Sequence, residues 1–191
     1  MKTVFFDIDT QIDFMFPAGA LYVPGAERIV PVIAALNQRA GIVVSTMCAH
    51  EEDDPEFQEW PPHCIAGTTG QLKPQSTMRA ARIAIPPTPA DFAIDGAEQI
   101  LLEKRQLNLF TNPNLPRLLE ALGADEYVVY GVVTEYCVGY AAMGLLKTGK
   151  PVTLVTDAIA PLKASDSELV LQSFSAGGGR LATSSKLLPR R

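Results

Sequence analysis

At 191 residues, 47% of them hydrophobic and 19% charged, the chain predicts one domain over residues 1–191 with a substantial core. A formal net charge of −5, with no basic run before the trailing Arg190-Arg191, excludes a nucleic-acid surface, and no apolar run approaches the ~20 residues of a membrane span. Asp7 and Asp9 break the N-terminal MKTVFFDID before a signal-peptide core could form, and Cys48, Cys64 and Cys137, lacking C-x-x-C spacing, fit a reduced, cytoplasmic setting.

In chain order, Val4 to Ile8 reads as a buried strand with Asp9 just beyond it. A loop with Pro17, Gly19, Pro24 and Gly25 leads to a helix over roughly 26–39, with Ile29, Ile33 and Leu36 on one face. Ile42 to Thr46 is a second strand. Residues 47 to 98 hold seven of the fifteen prolines and little periodicity; an irregular region of that length is usually functional or hides short elements. Ile100 to Leu102 is a third strand running into Glu103-Lys104, and Leu115 to Leu122 is a short helix closed by Gly123.

Residues 126 to 149 organise the rest. Tyr127 to Tyr130 form a fourth strand, Gly131 breaks it, and Val138, Ala141, Ala142 and Leu145 then share one helix face. Thr134 is the expected N-cap, which makes Cys137 the third helical residue. Free N–H groups and the helix dipole there favour a thiolate and suit an oxyanion. Lys147 falls in the last turn and Gly149 closes it. Val152 to Val155 is a fifth strand ending at Asp157. Ser165 with Glu168 predicts a capping box for a helix to about Ser175, stopped by Gly177-Gly178-Gly179, and Arg180 to Thr183 is a sixth strand. This alternation predicts a parallel sheet covered on both faces.

The chemically versatile residues fall at strand ends: Asp9, then Cys48 and His50, then Lys104, then Cys137. In a sheet of order 3-2-1-4-5-6, strands one and four flank the switch point, so Asp9 faces Cys137. The spacing Cys48-x-His50, with His63 beyond, suits metal chelation. If the histidines hold a metal, the base for Cys137 must be a carboxylate, and Asp9 is placed for it with Lys104 near both. Each residue alone has a plainer reading as a packed thiol, a loop imidazole, an Asx turn or a strand-end lysine. Their coincidence at one sheet edge points to chemistry. The run Glu51-Glu52-Asp53-Asp54 reads as a solvated loop. Phe14, Trp60 and Tyr136 are candidate walls of an apolar substrate pocket.

Four segments then carry a resemblance: IDTQIDF (8–14) to a D-x-Q-x-D-F signature, WPPHCIAGTTG (60–70) to W-P-x-H-C-x-x-G-T-x-G, EKRQLNLF around Lys104, and GVVTEYCVG (131–139) around Cys137. Over most of its length the chain resembles the isochorismatase-like cysteine hydrolases, and within them the nicotinamidase/pyrazinamidase group. The resemblance implies a Rossmann-like three-layer α/β/α sandwich with a six-stranded parallel sheet and an Asp9–Lys104–Cys137 triad. It further implies a cis Val132–Val133 peptide and an oxyanion hole from the N–H groups of Val133 and Cys137. His50 and His63 become metal ligands, with Glu56 a further candidate. Cys48 departs from the group's D-x-H, and a thiolate in place of a carboxylate shifts the expected ion toward zinc among the divalent metals. No organic cofactor is implied.

The implied reaction is hydrolysis of a small carboxamide through a thioester, nicotinamide to nicotinate and ammonia being the leading case, in a homo-oligomer of the kind common in the family. Its rivals are a same-fold hydrolase of another amide or ureido compound, a zinc-water hydrolase, and a non-catalytic metabolite-binding relative. An isochorismatase-type vinyl-ether hydrolase is a further rival, against which Cys137 argues.

Overall fold

The computed structural model describes residues 1–188; Arg190-Arg191 lie outside them. Among the described residues seven strands form the sheet: β1 (Thr3–Ile8), β2 (Val43–Cys48), β3 (Arg82–Ile85), β4 (Gln99–Lys104), β5 (Glu126–Val132), β6 (Val152–Ala160) and β7 (Arg180–Ala182). Every pairing is parallel and the order is β3-β4-β2-β1-β5-β6-β7. The alternation of β1 divides the core. After the one-turn α1 (Ile12–Met15), α2 (Val30–Arg39) packs on one face with Phe5, while Val4, Phe6 and Ile8 pack with α3 (Leu115–Leu122) and α4 (Gly139–Leu146) on the other.

The expectation of six strands in the order 3-2-1-4-5-6 is corrected by β3. This strand is four residues long, pairs only with β4, and buries Ile85 fully while Arg82 and Ala84 stay exposed. So short a segment offers too few alternations to stand out inside the proline-rich region. Two other boundaries move. β6 runs through Asp157 to Ala160, its register with β5 shifting between Val129 and Gly131. Gly131 sits at φ 122°, where an added Cβ would lie 2.1 Å from the Ile8 carbonyl oxygen, so only glycine lets β5 approach β1 there.

The expected caps also differ. Val133, not Thr134, precedes the first turn after β5; that turn, Thr134–Val138, is π-helical, with the Val138 N–H donating to the Val133 carbonyl at 3.1 Å. The Ser165–Glu168 capping box does not form. Helix α5 (Ala164–Ala176) starts earlier, and Ser165 Oγ donates to Asp166 instead. The Leu162 and Lys163 N–H groups donate to the Glu135 carboxylate at 2.9 and 2.6 Å, so an external side chain anchors the entry to this helix.

One charged pair belongs to the fold rather than to the sheet edge. Asp7 is fully buried, and its Oδ2 lies 3.1 Å from Lys73 Nζ and accepts from Asn37 Nδ2 at 2.9 Å. Thr10 Oγ1 donates to Asp7 Oδ1 at 2.7 Å and accepts from Lys73 Nζ at 2.5 Å. The pair ties the loop after His63 to β1 and α2. Lys73→Met leaves the Asp7 charge without its counter-ion, so it is expected to destabilise the chain by about 3–5 kcal/mol in urea denaturation. A loss under about 1 kcal/mol would mean that the neutral donors alone satisfy Asp7.

Candidate active site

Asp9 follows β1 and Cys137 lies in the π-helical turn after β5, on neighbouring strands of the sheet. Asp9 adopts a left-handed φ of 48°, and two contacts with Thr46 of β2 hold it there. The Asp9 N–H donates to Thr46 Oγ1 at 3.1 Å, and that hydroxyl donates to Asp9 Oδ1 at 2.6 Å. The other carboxylate oxygen, Oδ2, lies 2.8 Å from Lys104 Nζ in a buried ion pair. Lys104 also donates to Cys137 Sγ at 3.7 Å, to Cys48 Sγ at 3.3 Å and to the Gln106 carbonyl at 3.0 Å. The structure therefore brings Asp9, Lys104 and Cys137 together, with Cys48 in the same cluster. The Val132–Val133 peptide that precedes the turn is cis.

The electrostatics correct one expectation. Burial pushes the Cys137 thiol well above its ordinary value of 9.0; Lys104 pulls it down, and Asp9 pushes it up again. Burial is the largest of these effects, ahead of the pull from Lys104. Burial lowers the proton affinity of Lys104, but Asp9 and the two thiols outweigh it and hold the ammonium well above its ordinary range. The geometry sets the Asp9–Lys104 pair beside a thiol whose burial favours its protonated form.

Beside it, ligand atoms of Cys48, His50 and His63 lie within 4.8 Å of one another, all three residues buried. His50 Nδ1 is paired with Asp54 Oδ2 at 3.0 Å, and His63 Nδ1 with the Pro61 carbonyl at 2.8 Å. Both imidazoles thus present Nε2 to Glu56 Oε1, at 3.9 and 3.8 Å. His50 Nε2 is buried without a hydrogen-bond partner among the described residues. Two oriented imidazoles, an orphaned ring nitrogen, a thiol and a carboxylate fit a divalent cation. Burial lowers the His63 pKa, which favours the neutral ring that ligates metals, and raises that of Cys48, whose proton must leave before the sulfur can ligate. Asp54, expected in a solvated acidic loop, is the orienting partner of His50, its side chain only 9% exposed.

A narrow cavity of about 30 Å³ joins the two clusters. Phe14, Trp60 and Tyr136 all line it, Trp60 meeting Tyr136 edge-on with ring centroids 5.5 Å apart. Leu21, Leu107 and Leu162 complete its apolar wall. Sequence reasoning gave neither these leucines nor Thr46 a role at the site, because they come from loops and a strand interior whose placement no local pattern encodes. A larger surface groove runs past Tyr140, Met143 and Leu169, but reaches none of Asp9, Cys48, His50, His63, Lys104 or Cys137.

Several known proteins are similar to this chain over most of its length. The chain is 28% identical over 203 residues to a nicotinamidase of Saccharomyces cerevisiae, covering 89% of this chain and 92% of that protein. It is 26% identical over 172 residues to a nicotinamidase of Acinetobacter baylyi, covering 79% and 78% of the two chains. Among solved structures, the pyrazinamidase of Pyrococcus horikoshii in complex with zinc superposes with a TM-score of 0.78 at 26% identity, covering 96% of this chain and 99% of that one. The isochorismatase domain matches residues 3–186, nearly the whole chain, and to that family the chain belongs.

Proposed function

We propose that the chain is a metal-assisted thiol amidohydrolase that releases ammonia from a small, flat carboxamide, with nicotinamide as the leading substrate and nicotinate as the product. It is a hydrolase acting on amide C–N bonds. What carries the substrate reading is one observation: Asp9 and Cys137 share an apolar, aromatic-walled cavity with Cys48, His63 and Glu56. The nicotinamidase relatives support the same assignment.

In this reading Cys137 Sγ attacks the amide carbonyl carbon while Asp9 takes the thiol proton, so no thiolate needs to accumulate beforehand. The backbone N–H groups of Val133 and Cys137 receive the oxyanion. Asp9 passes its proton to the leaving nitrogen, ammonia departs, and a thioester remains on Cys137. Asp9 then takes a proton from water, whose oxygen attacks the thioester; the C–S bond breaks, and the sulfur recovers a proton as the carboxylic acid forms. Lys104 keeps Asp9 in place through the cycle. Cys48, His50, His63 and Glu56 would hold a divalent ion, zinc being favoured by the thiol and imidazole donors. When bound, the ion supplies a Lewis-acid point for a ring nitrogen or carboxylate, a positioning effect on the substrate. The departure of Cys48 from the group's aspartate favours a second reading, the same reaction on another amide or ureido compound.

Ammonia release over a panel of carboxamides, before and after chelation, tests the proposal. Nicotinamide is expected to be turned over, and chelation to raise KM more than it lowers kcat. Cys137→Ala is expected to cut turnover on the order of 10⁴-fold or more; retained activity would shift the chemistry to the metal site. A pH profile addresses the thiol. Because its pKa is raised, the rate of Cys137 alkylation by iodoacetamide should keep climbing through pH 9.0, its ordinary titration point, without an earlier plateau. A plateau below neutral pH would mean a stored thiolate and would overturn the general-base step.

A further inference from the structure

Gln11 is fully buried, and its amide is spent on two segments that carry ligand-type side chains. Oε1 accepts from the Cys48 N–H at 2.7 Å, while Nε2 donates to the Cys48 carbonyl and to the Gln71 carbonyl, both at 2.8 Å. Cys48 ends β2, two residues before His50; Gln71 lies on the stretch that follows His63. The same two segments meet once more, where the His50 N–H donates to the Cys64 carbonyl at 3.2 Å and the Ala66 N–H donates to the His50 carbonyl at 2.9 Å. Cys48 and His50 are themselves the tied residues of one segment, and His63 directly precedes the tied Cys64 on the other.

Accepting from one N–H while donating to two carbonyls needs both ends of a primary amide, which neither a carboxylate nor an ammonium supplies. We propose that Gln11 is a positioning residue of the Cys48–His50–His63 site. It sets the spacing between the Cys48–His50 segment and the segment bearing His63, although its own hydrogen bonds go to backbone rather than to ligand atoms. The inference rests on the metal reading above. The loop has other anchors close by: the Ile12 N–H donates to the Leu72 carbonyl at 2.8 Å and the Asp13 N–H to the Gly70 carbonyl at 3.1 Å. Loss of the amide therefore loosens the ligand spacing without detaching the loop.

The test measures Zn²⁺ affinity, by competition with a chromophoric chelator, for the parent chain, for Gln11→Met and for Gln11→Glu. The first substitution keeps the shape and removes all three hydrogen bonds. The second keeps the acceptor toward Cys48 but sets a carboxylate against two carbonyls, and it carries the test should Gln11→Met fail to fold. Outer partners of metal sites are typically worth about 10–100-fold in affinity, so both variants are expected to bind Zn²⁺ at least about tenfold more weakly. Their far-UV circular dichroism and Cys137 alkylation rate should stay at the parent's values, a separation that a merely structural role would not produce. Zinc bound by the parent and as tightly by both variants overturns this inference alone. Zinc affinity and Cys137 alkylation falling together overturn it too, since Gln11 is then a packing residue for the whole edge. No zinc on the parent chain defeats the metal reading, and this inference with it.

Discussion

Removing a lysine ammonium from water costs several kcal/mol unless a carboxylate and further acceptors meet it. Lys104, 1% exposed, has Asp9, the Gln106 carbonyl and two sulfurs around its three N–H groups. Much of the site follows from that single charge. Lys104 is the last residue of β4 and Cys48 is its register partner on β2, so the side chain must cross the end of β2 to reach Asp9 just past β1. The crossing puts Cys48 Sγ within reach of the nitrogen, and the ion pair then stands beside Cys137 from β5. Four strand ends are drawn to one ammonium, and the cavity opens where they meet.

The chain uses two buried Asp–Lys pairs, two residues apart in sequence, and they differ in what they face. Around Asp7 every partner is a short-range donor held by the core: Asn37, Ser45, Thr10 and Lys73 leave no oxygen facing a cavity. Around Asp9 one oxygen is fixed by Thr46, and the other meets Lys104 beside a cavity that Asp9 and Cys137 both line. In the proposed reaction this is the carboxylate placed to exchange a proton with substrate.

Much of this was legible in the residues. Apolar runs located β1, β2, β4 and β5, and the Leu115–Leu122 helix falls where its spacing and Gly123 place it. Topological reasoning put Asp9 opposite Cys137 because adjacent parallel strands end on one side. What escaped depends on contacts distant in sequence. Glu135 anchors the entry to α5 from 27 residues away, so the local Ser165–Glu168 pattern was silent about it. Asp54 looks like one of four solvated acids until the fold lays it against His50. The thiol at 137 reads as activated from its helix position and the nearby Lys104; only the folded chain shows how deeply it is buried, and burial pushes its pKa up.

The two outer strands bear on how this sheet avoids its neighbours. β3 is four residues long, is followed at once by Pro86-Pro87, and carries an exposed Arg82; β7 is three residues long, and its Arg180 pairs with Glu126 at 2.8 Å. An open parallel sheet offers a row of unpaired amides at each margin, a template for strand addition and fibril growth. Here both margins are cut short, bear a guanidinium, and on one side end in residues that cannot donate. Any larger assembly of this chain is therefore steered away from sheet extension and toward packing through helices.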